Sequence, residues 1–204
     1  INNIETMEHI LENGMADFVG TARGFLADPH FAEKVLTGVP YNRCQGCNKC
    51  IEAVLKGKPV VCAYNPEVGH EAEEKTHRKV VSAKVVLVVG AGPAGLEAAK
   101  KSAERGYKTI LCTEEQCLGG MLNAAALPPH KQDLLKFIEN KKYELENLGV
   151  DIRYGTKVDG EFISELKPYF VVEAFGGKAF VPNIKGVDRE NGYMALDGLK
   201  GGAD

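Results

Sequence analysis

The clearest hydrophobic pattern along the chain is the unbroken apolar run Val85 to Val89, which is followed by glycines and then by an alanine-rich stretch. A short continuous run of branched residues bounded by a turn signal predicts a strand buried on both faces, as in a parallel sheet. The pattern after it alternates in kind: strand Lys84 to Val89, helix Ala94 to Arg105, strand Lys108 to Cys112, then a glycine turn. A long amphipathic helix is predicted over about Lys131 to Leu148, with Leu134, Leu135, Ile138, Leu145 and Leu148 on one stripe. Gly149 ends it, and strands Asp151 to Tyr154 and Tyr169 to Ala174 follow. Nearer the N-terminus, Ile4, Met7 and Ile10 at helical spacing predict a helix from Ile4 to Asn13, stopped by Gly14. Asp17 to Thr21 reads as a short strand. Ala27-Asp28-Pro29 reads as a cap with proline at the first helical position, opening a helix through about Leu36 that Gly38 ends.

This is an α/β chain. Its opening segment amounts to one and a half βα units, which need neighbouring strands to bury both faces. Residues 40–65 hold clustered cysteines around a short helix (Ile51 to Lys56), and 66–82 read as a polar, charge-mixed linker. Residues 83–204 read as one region of alternating strands and helices, with a flexible ending, GLKGGAD.

With 44% hydrophobic residues the chain can build a core, and its net charge of −3 comes from 25 basic and 28 acidic residues mixed along it. No basic face calls for nucleic acid, and no apolar run is long enough to span a bilayer. A reducing cytoplasm is the expected setting.

Of six cysteines, Cys44, Cys47, Cys50 and Cys62 cluster, while Cys112 and Cys117 stand apart. The first three form CxxCxxC, and the fourth follows beyond the short helix. Three thiolates from one loop with a fourth from a second pass suit a [4Fe-4S] cluster. Zinc also takes four thiolates, usually from two CxxC pairs, and a set of free thiols is the bland alternative.

Gly90-Ala-Gly92-Pro93-Ala94-Gly95 places GxGxxG between a buried strand and a helix. Gly90 permits the tight turn, Gly92 lets backbone approach a pyrophosphate, and Gly95 allows close helix–strand packing, while helix N-terminal amides meet the negative charge. An acid about 20 residues on holds the ribose hydroxyls in such folds. Glu114 is the candidate, between Thr113 and Glu115; a solvated acidic pair is the alternative. Leu118-Gly119-Gly120 offers a second close-approach backbone, and Gly176-Gly177 either does the same or ends a strand. None of the five histidines (His9, His30, His70, His77, His130) has a motif partner, so no catalytic acid or base is named.

Taken in order, GxARxFLADP (Gly20 to Pro29), CxxCxxC with Cys62-Ala-Tyr-Asn-Pro66, VVGAGPAGLEAA and LGG resemble one family over nearly the whole chain. It is the multidomain flavoproteins typified by 2,4-dienoyl-CoA reductase, enoate reductase and trimethylamine dehydrogenase. The resemblance implies that residues 1–39 are the end of an FMN-binding TIM barrel, with Gly20, Ala22 and Arg23 in its phosphate loop. It implies that the four cysteines hold a [4Fe-4S] cluster, and that Gly90, Gly92, Pro93, Ala94, Gly95, Gly119 and Gly120 bind FAD, or ADP in the amine dehydrogenases. In such enzymes NAD(P)H supplies electrons that pass through FAD and the cluster to FMN and an activated alkene, whereas the amine-oxidising relatives run them outward. The substrate is a small molecule. The resemblance further implies a fragment of a longer enzyme, or a subunit completed by a partner subunit supplying the remaining barrel and the nicotinamide domain. A non-catalytic electron-transfer or nucleotide-binding subunit is the alternative.

This chain departs from the family in four places. Only Asn48-Lys49 separates the second and third cysteines, one residue fewer than is usual. Thr113 aligns with the ribose-binding acid, Met121 replaces a glutamine, and Phe175 interrupts an Ala-Thr-Gly ending.

Overall fold

The computed structural model describes residues 1–74, 79–80, 83–187, 189, 192–199 and 201. Parts of the expected linker (75–78 and 81–82, with His77) and of the C-terminal ending (200 and 202–204) lie outside the described residues. Two compact units are formed, Ile1–Arg78 and Lys79–Asp204.

The first unit contains helices α1 (Ile4–Glu12), α2 (Ala22–Ala27), α3 (Phe31–Thr37), α4 (Lys49–Leu55) and α5 (Glu71–Glu74). α1 starts where predicted, because the Asn3 side chain accepts the Glu5 amide hydrogen. The strand expected over Asp17 to Thr21 is not formed. A strand exists only as a partner in a ladder, and no other strand is present among the described residues of this unit. Instead Thr21 caps a helix that the pattern did not predict, its hydroxyl accepting the Gly24 amide at 3.2 Å. The next helix begins later than the Asp28-Pro29 signal implied: His30 is its N-cap, and Gly38 ends it in the left-handed conformation, φ 70°.

Asp28 has a different task. Only 2% exposed, its carboxylate accepts from the His30 amide (3.1 Å), the Asn42 amide (3.0 Å) and Lys34 Nζ (2.8 Å). A buried carboxylate is tolerated when its lone pairs are filled in this way. Here it joins the end of α2, the start of α3 and the chain leading to Cys44.

The second unit carries strands β1 (Val85–Val89), β2 (Lys108–Cys112), β3 (Asp151–Arg153) and β4 (Phe170–Glu173). Its helices are α6 (Pro93–Glu104), α7 (Met121–Ala125), α8 (Asp133–Asn147), α9 (Gly160–Leu166) and α10 (Ala195–Leu199). The four strands form one parallel sheet in the order β3-β2-β1-β4. Val86, Val88 and Leu111 face α6 and α8 through Leu96, Ala99 and Leu145. Leu87, Ile110 and Cys112 face the other way, toward Phe162, Ile163 and Leu166 of α9. β1 and β2 are thus covered on both sides, which is why β1 reads as an apolar run. Burial also pushes the Cys112 thiol up from its ordinary pKa.

α8 corrects its predicted stripe. Leu135 and Leu148 are exposed, and the inward face is Phe137, Asn140, Lys141 and Leu145. Lys141, 1% exposed, donates to Glu97 Oε2 of α6 at 2.6 Å and to Glu144 Oε2 at 3.2 Å, and Lys100 reaches Glu144 at 3.4 Å. An apolar template cannot anticipate a lysine turned inward by carboxylates from two helices.

Removing one partner of a buried ion pair leaves the others uncompensated. Lys141→Ala is expected to lower the unfolding free energy by about 3 kcal/mol, measured by urea denaturation. Pairing it with Glu97→Gln is expected to cost less than the sum of the two single changes.

Candidate functional site: a glycine cradle at the strand ends and a four-cysteine segment

The register aligns the C-terminal ends of all four strands: Val89 lies opposite Cys112 and Glu173, and Cys112 opposite Arg153. β1 is the strand at which the order reverses, with β2 on one side and β4 on the other. In open α/β sheets ligands bind outside the strand ends at such a switch point. The GxGxxG turn falls there.

Each of its glycines answers a separate local demand. Gly90 has φ 105°, and a Cβ on it would overlap the Ala174 carbonyl. Gly95 sits so close to β1 that a Cβ would overlap the Gly90 carbonyl oxygen. Around Gly92, by contrast, nothing lies within 4 Å of the Cβ position, so this glycine faces open space. Gly92 is also the N-cap of α6 and supplies no side-chain acceptor, while Pro93 at the first position has no N–H to satisfy. The amides of Ala94 and Gly95 belong to the first turn, where no carbonyl of the helix can accept them.

The second glycine pair packs against the first. The Gly119 amide donates to the Ala91 carbonyl at 2.8 Å, and a Cβ on Gly120 would stand 3.2 Å from Gly92 Cα. Gly119 and Gly120 both have positive φ, 109° and 51°. LGG therefore forms one wall of the cradle. Ala174, which sequence reasoning passed over, forms another against Gly90; the small residue ending a strand beside GxGxxG was its only signal. Gly176, at φ 77°, and Gly177 lie beyond β4 with open space at their Cβ positions.

β2 continues in hydrogen bonding for one more residue. The Thr113 amide donates to the Arg153 carbonyl at 3.0 Å, its carbonyl accepts from Thr156 at 2.8 Å, and its hydroxyl accepts from the Glu115 amide at 3.2 Å. Buried Thr113 is thus the residue at the end of the strand, and Glu114 is the exposed residue after it.

The cysteines sit in the first unit. Cys44 and Cys47 are on the loop before α4, Cys50 is in its first turn, and Cys62 follows it. All four are free thiols and none is fully buried. Among the described residues they are not gathered into a metal-holding group. Their donor chemistry nevertheless fits a thiolate-held centre: four soft ligands, unoxidised, on one loop–helix–loop. Asn48, between the second and third, is left-handed at φ 60°.

Gly20 precedes α2, whose first residues are Ala22 and Arg23. Arg23 Nη1 donates to Asn48 Oδ1 at 2.8 Å, so the sequence-predicted phosphate turn and the cysteine loop meet. Asn48 was missed as the partner of Arg23. An asparagine flanked by cysteines at a turn, the side chain that best tolerates left-handed backbone, was the available signal. His9, His30, His70 and His130 are all exposed.

A family model described as FAD dependent oxidoreductase matches residues 86–166. The chain is 37% identical to an NADH oxidase of Thermoanaerobacter brockii over 98% of its own length and 32% of that protein's. It is 35% identical to an N,N-dimethylglycine/sarcosine dehydrogenase of Chromohalobacter salexigens, over 86% of this chain and 26% of that one. Among solved structures, a 2-naphthoyl-CoA reductase in complex with 2-naphthoyl-CoA superposes with a TM-score of 0.90 at 29% identity, covering all of this chain and 31% of that one. The chain thus spans about a third of the length of its relatives. Together with the parallel sheet and the cradle at its switch point, these likenesses show that the chain belongs to the family of flavoprotein oxidoreductases typified by 2,4-dienoyl-CoA reductase and trimethylamine dehydrogenase.

Proposed function

We propose that this chain is the electron-transferring portion of an NAD(P)H-dependent flavin oxidoreductase that reduces an activated alkene, such as an enoyl or dienoyl thioester. The observation that carries the reading is the cradle of Gly90 to Gly95 and Gly119-Gly120 at the strand ends. Its open face at Gly92 fits the pyrophosphate of FAD or ADP. The Ala94 and Gly95 amides would hold that pyrophosphate, and Glu114 would accept the adenosine ribose hydroxyls.

On this reading Cys44, Cys47, Cys50 and Cys62 would hold a [4Fe-4S] cluster, and Gly20, Ala22 and Arg23 an FMN phosphate. Residues 1–39 would be the end of a barrel, 40–65 the cluster segment, 66–82 a linker and 83–204 the nucleotide domain. The bound groups supply electron storage and one-electron relay, and the protein's share is binding, orientation and potential. Likeness to a 2-naphthoyl-CoA reductase supports a conjugated thioester as the substrate class. Likeness to a dimethylglycine/sarcosine dehydrogenase favours a second reading, amine oxidation with electrons running outward and ADP in the cradle.

Gly92→Leu and Gly95→Ala separate binding from packing. The leucine enters open space, so it is expected to leave the melting temperature near its original value while weakening ADP binding on the order of tenfold or more, read by calorimetric titration. The alanine is expected to destabilise the second unit, since its Cβ must displace backbone.

An anaerobic absorption spectrum with iron and sulfide analysis tests the cluster. A brown band near roughly 400 nm with about four irons is expected; a colourless protein holding about one zinc would sink the redox role of the cysteines. In the complete enzyme that contains this chain, bleaching of the flavin by NADH or NADPH, and its reoxidation by a cinnamoyl or crotonyl thioester rather than reduction by dimethylglycine, decides the direction.

A further inference from the structure

Helix α2 grips the cysteine segment at three points. Before the first cysteine, the Asn42 amide donates to Asp28 Oδ2 at 3.0 Å, at the C-terminal end of the helix. After the fourth, Asn65 Nδ2 donates to the Leu26 carbonyl at 2.9 Å. Between the second and third, Arg23 Nη1 donates to Asn48 Oδ1 at 2.8 Å. Asp28 and Asn65 are buried, which makes the outer two ties a frame. The Arg23 tie is the one that acts inside the CxxC turn.

Asn48 is well placed to transmit a pull from Arg23. It is the N-cap of α4, yet its side chain makes no cap bond to its own helix. The amide oxygen is committed to Arg23 instead. With φ at 60° the residue sets the direction in which the chain leaves Cys47 and enters the turn carrying Cys50. A guanidinium offers five N–H donors, so holding Asn48 with Nη1 leaves others for an anion at the Gly20 to Arg23 turn.

We propose that Arg23 and Asn48 are a positioning pair for the cysteines: the guanidinium fixes the Asn48 turn, which sets the path from Cys47 to Cys50 and couples the anion turn to the thiolate site. This rests on the proposed reading of the cysteines as cluster ligands. Neither residue is a ligand or a catalytic residue; each acts through the turn.

The test uses the purified chain, reconstituted anaerobically with iron and sulfide, and the variants Arg23→Ala, Asn48→Gly, Arg23→Lys and the Arg23→Ala/Asn48→Gly double variant. Glycine removes the Asn48 side chain and keeps the left-handed backbone accessible, so the tie is lost without straining the turn. Three quantities are read: the rate of iron loss to a chelator, the paramagnetic resonance line shape of the reduced cluster, and the alkylation rates of Cys47 and Cys50 in the metal-free chain. Arg23→Ala and Asn48→Gly are each expected to speed iron loss and alkylation by about three- to tenfold, the worth of one hydrogen bond, and to alter the line shape. The double variant is expected to do no more than either alone, and Arg23→Lys, which keeps a donor, to remain near the unmodified chain.

Unchanged alkylation in Asn48→Gly, or additive effects in the double variant, would overturn the pair. If the unmodified chain takes up no iron, the cluster reading fails by itself, and the alkylation rates still decide whether Arg23 holds the turn.

Discussion

The second unit depends on the contact between α6 and the end of β1, where a hydrogen atom stands in place of a Cβ on Gly95 and the Gly90 carbonyl fills the space. That closeness lets a helix lie directly on the sheet, so Leu96 and Ala99 reach full burial against Val86, Val88 and Leu111. It also leaves the first turn of the helix standing over the strand ends, and the LGG segment docks on the same turn through Ala91. Packing and binding capacity therefore rest on the same missing methyl group.

The first unit is organised by different means. Its helices α2, α3 and α4 are six or seven residues long, too short to be stable by propensity. What holds them is a few polar anchors with long sequence separations, Asp28 to Asn42 and Asn65 to Leu26 foremost, together with the Phe31 ring packed edge-on against Phe25 and Tyr41 at 5.8 and 5.0 Å. Such a framework fixes loops without a ladder, the loop carrying Cys44 and Cys47 among them.

Legibility in the sequence followed the physics of each unit. β1, α6 and β2 could be read because their signals are local: an apolar run, glycines at fixed offsets and an alanine-rich helix. The strand at 17–21 was misread because branched residues advertise a strand but only a neighbour completes one, and α2 was hidden by the same apolar reading. α7 and α9 escaped notice because five and seven residues show little periodicity; the Asp159 side chain accepting the Phe162 amide was the one cue for α9. In α8 Ile138 and Leu145 of the predicted stripe do pack on the core, but the stripe extended to the exposed Leu135 and Leu148 and missed Lys141, which pairs with Glu97 of another helix. The tight turn at Gly90 and the close packing at Gly95 were legible from their spacing, whereas the end of β2 turned on one residue: the Thr113 amide bonds the Arg153 carbonyl, and Glu114 is the exposed residue after it. The Arg23–Asn48 bond joins residues 25 positions apart and has no local signature.

The uniform direction of the strands has an electrical consequence. In a parallel sheet every crossover helix must run back against the strands, so α6, α8 and α9 all begin at the edge where β1, β2 and β3 end. Each helix presents the positive end of its dipole there, about half an elementary charge. α8 opens with Asp133, and α9 with Asp159 and Glu161, whose carboxylates take up the positive ends there, whereas α6 has no acidic residue in its first turn and keeps its positive end over the glycine turn. Substitutions that change the surface charge elsewhere leave that field in place, because it is carried by the backbone.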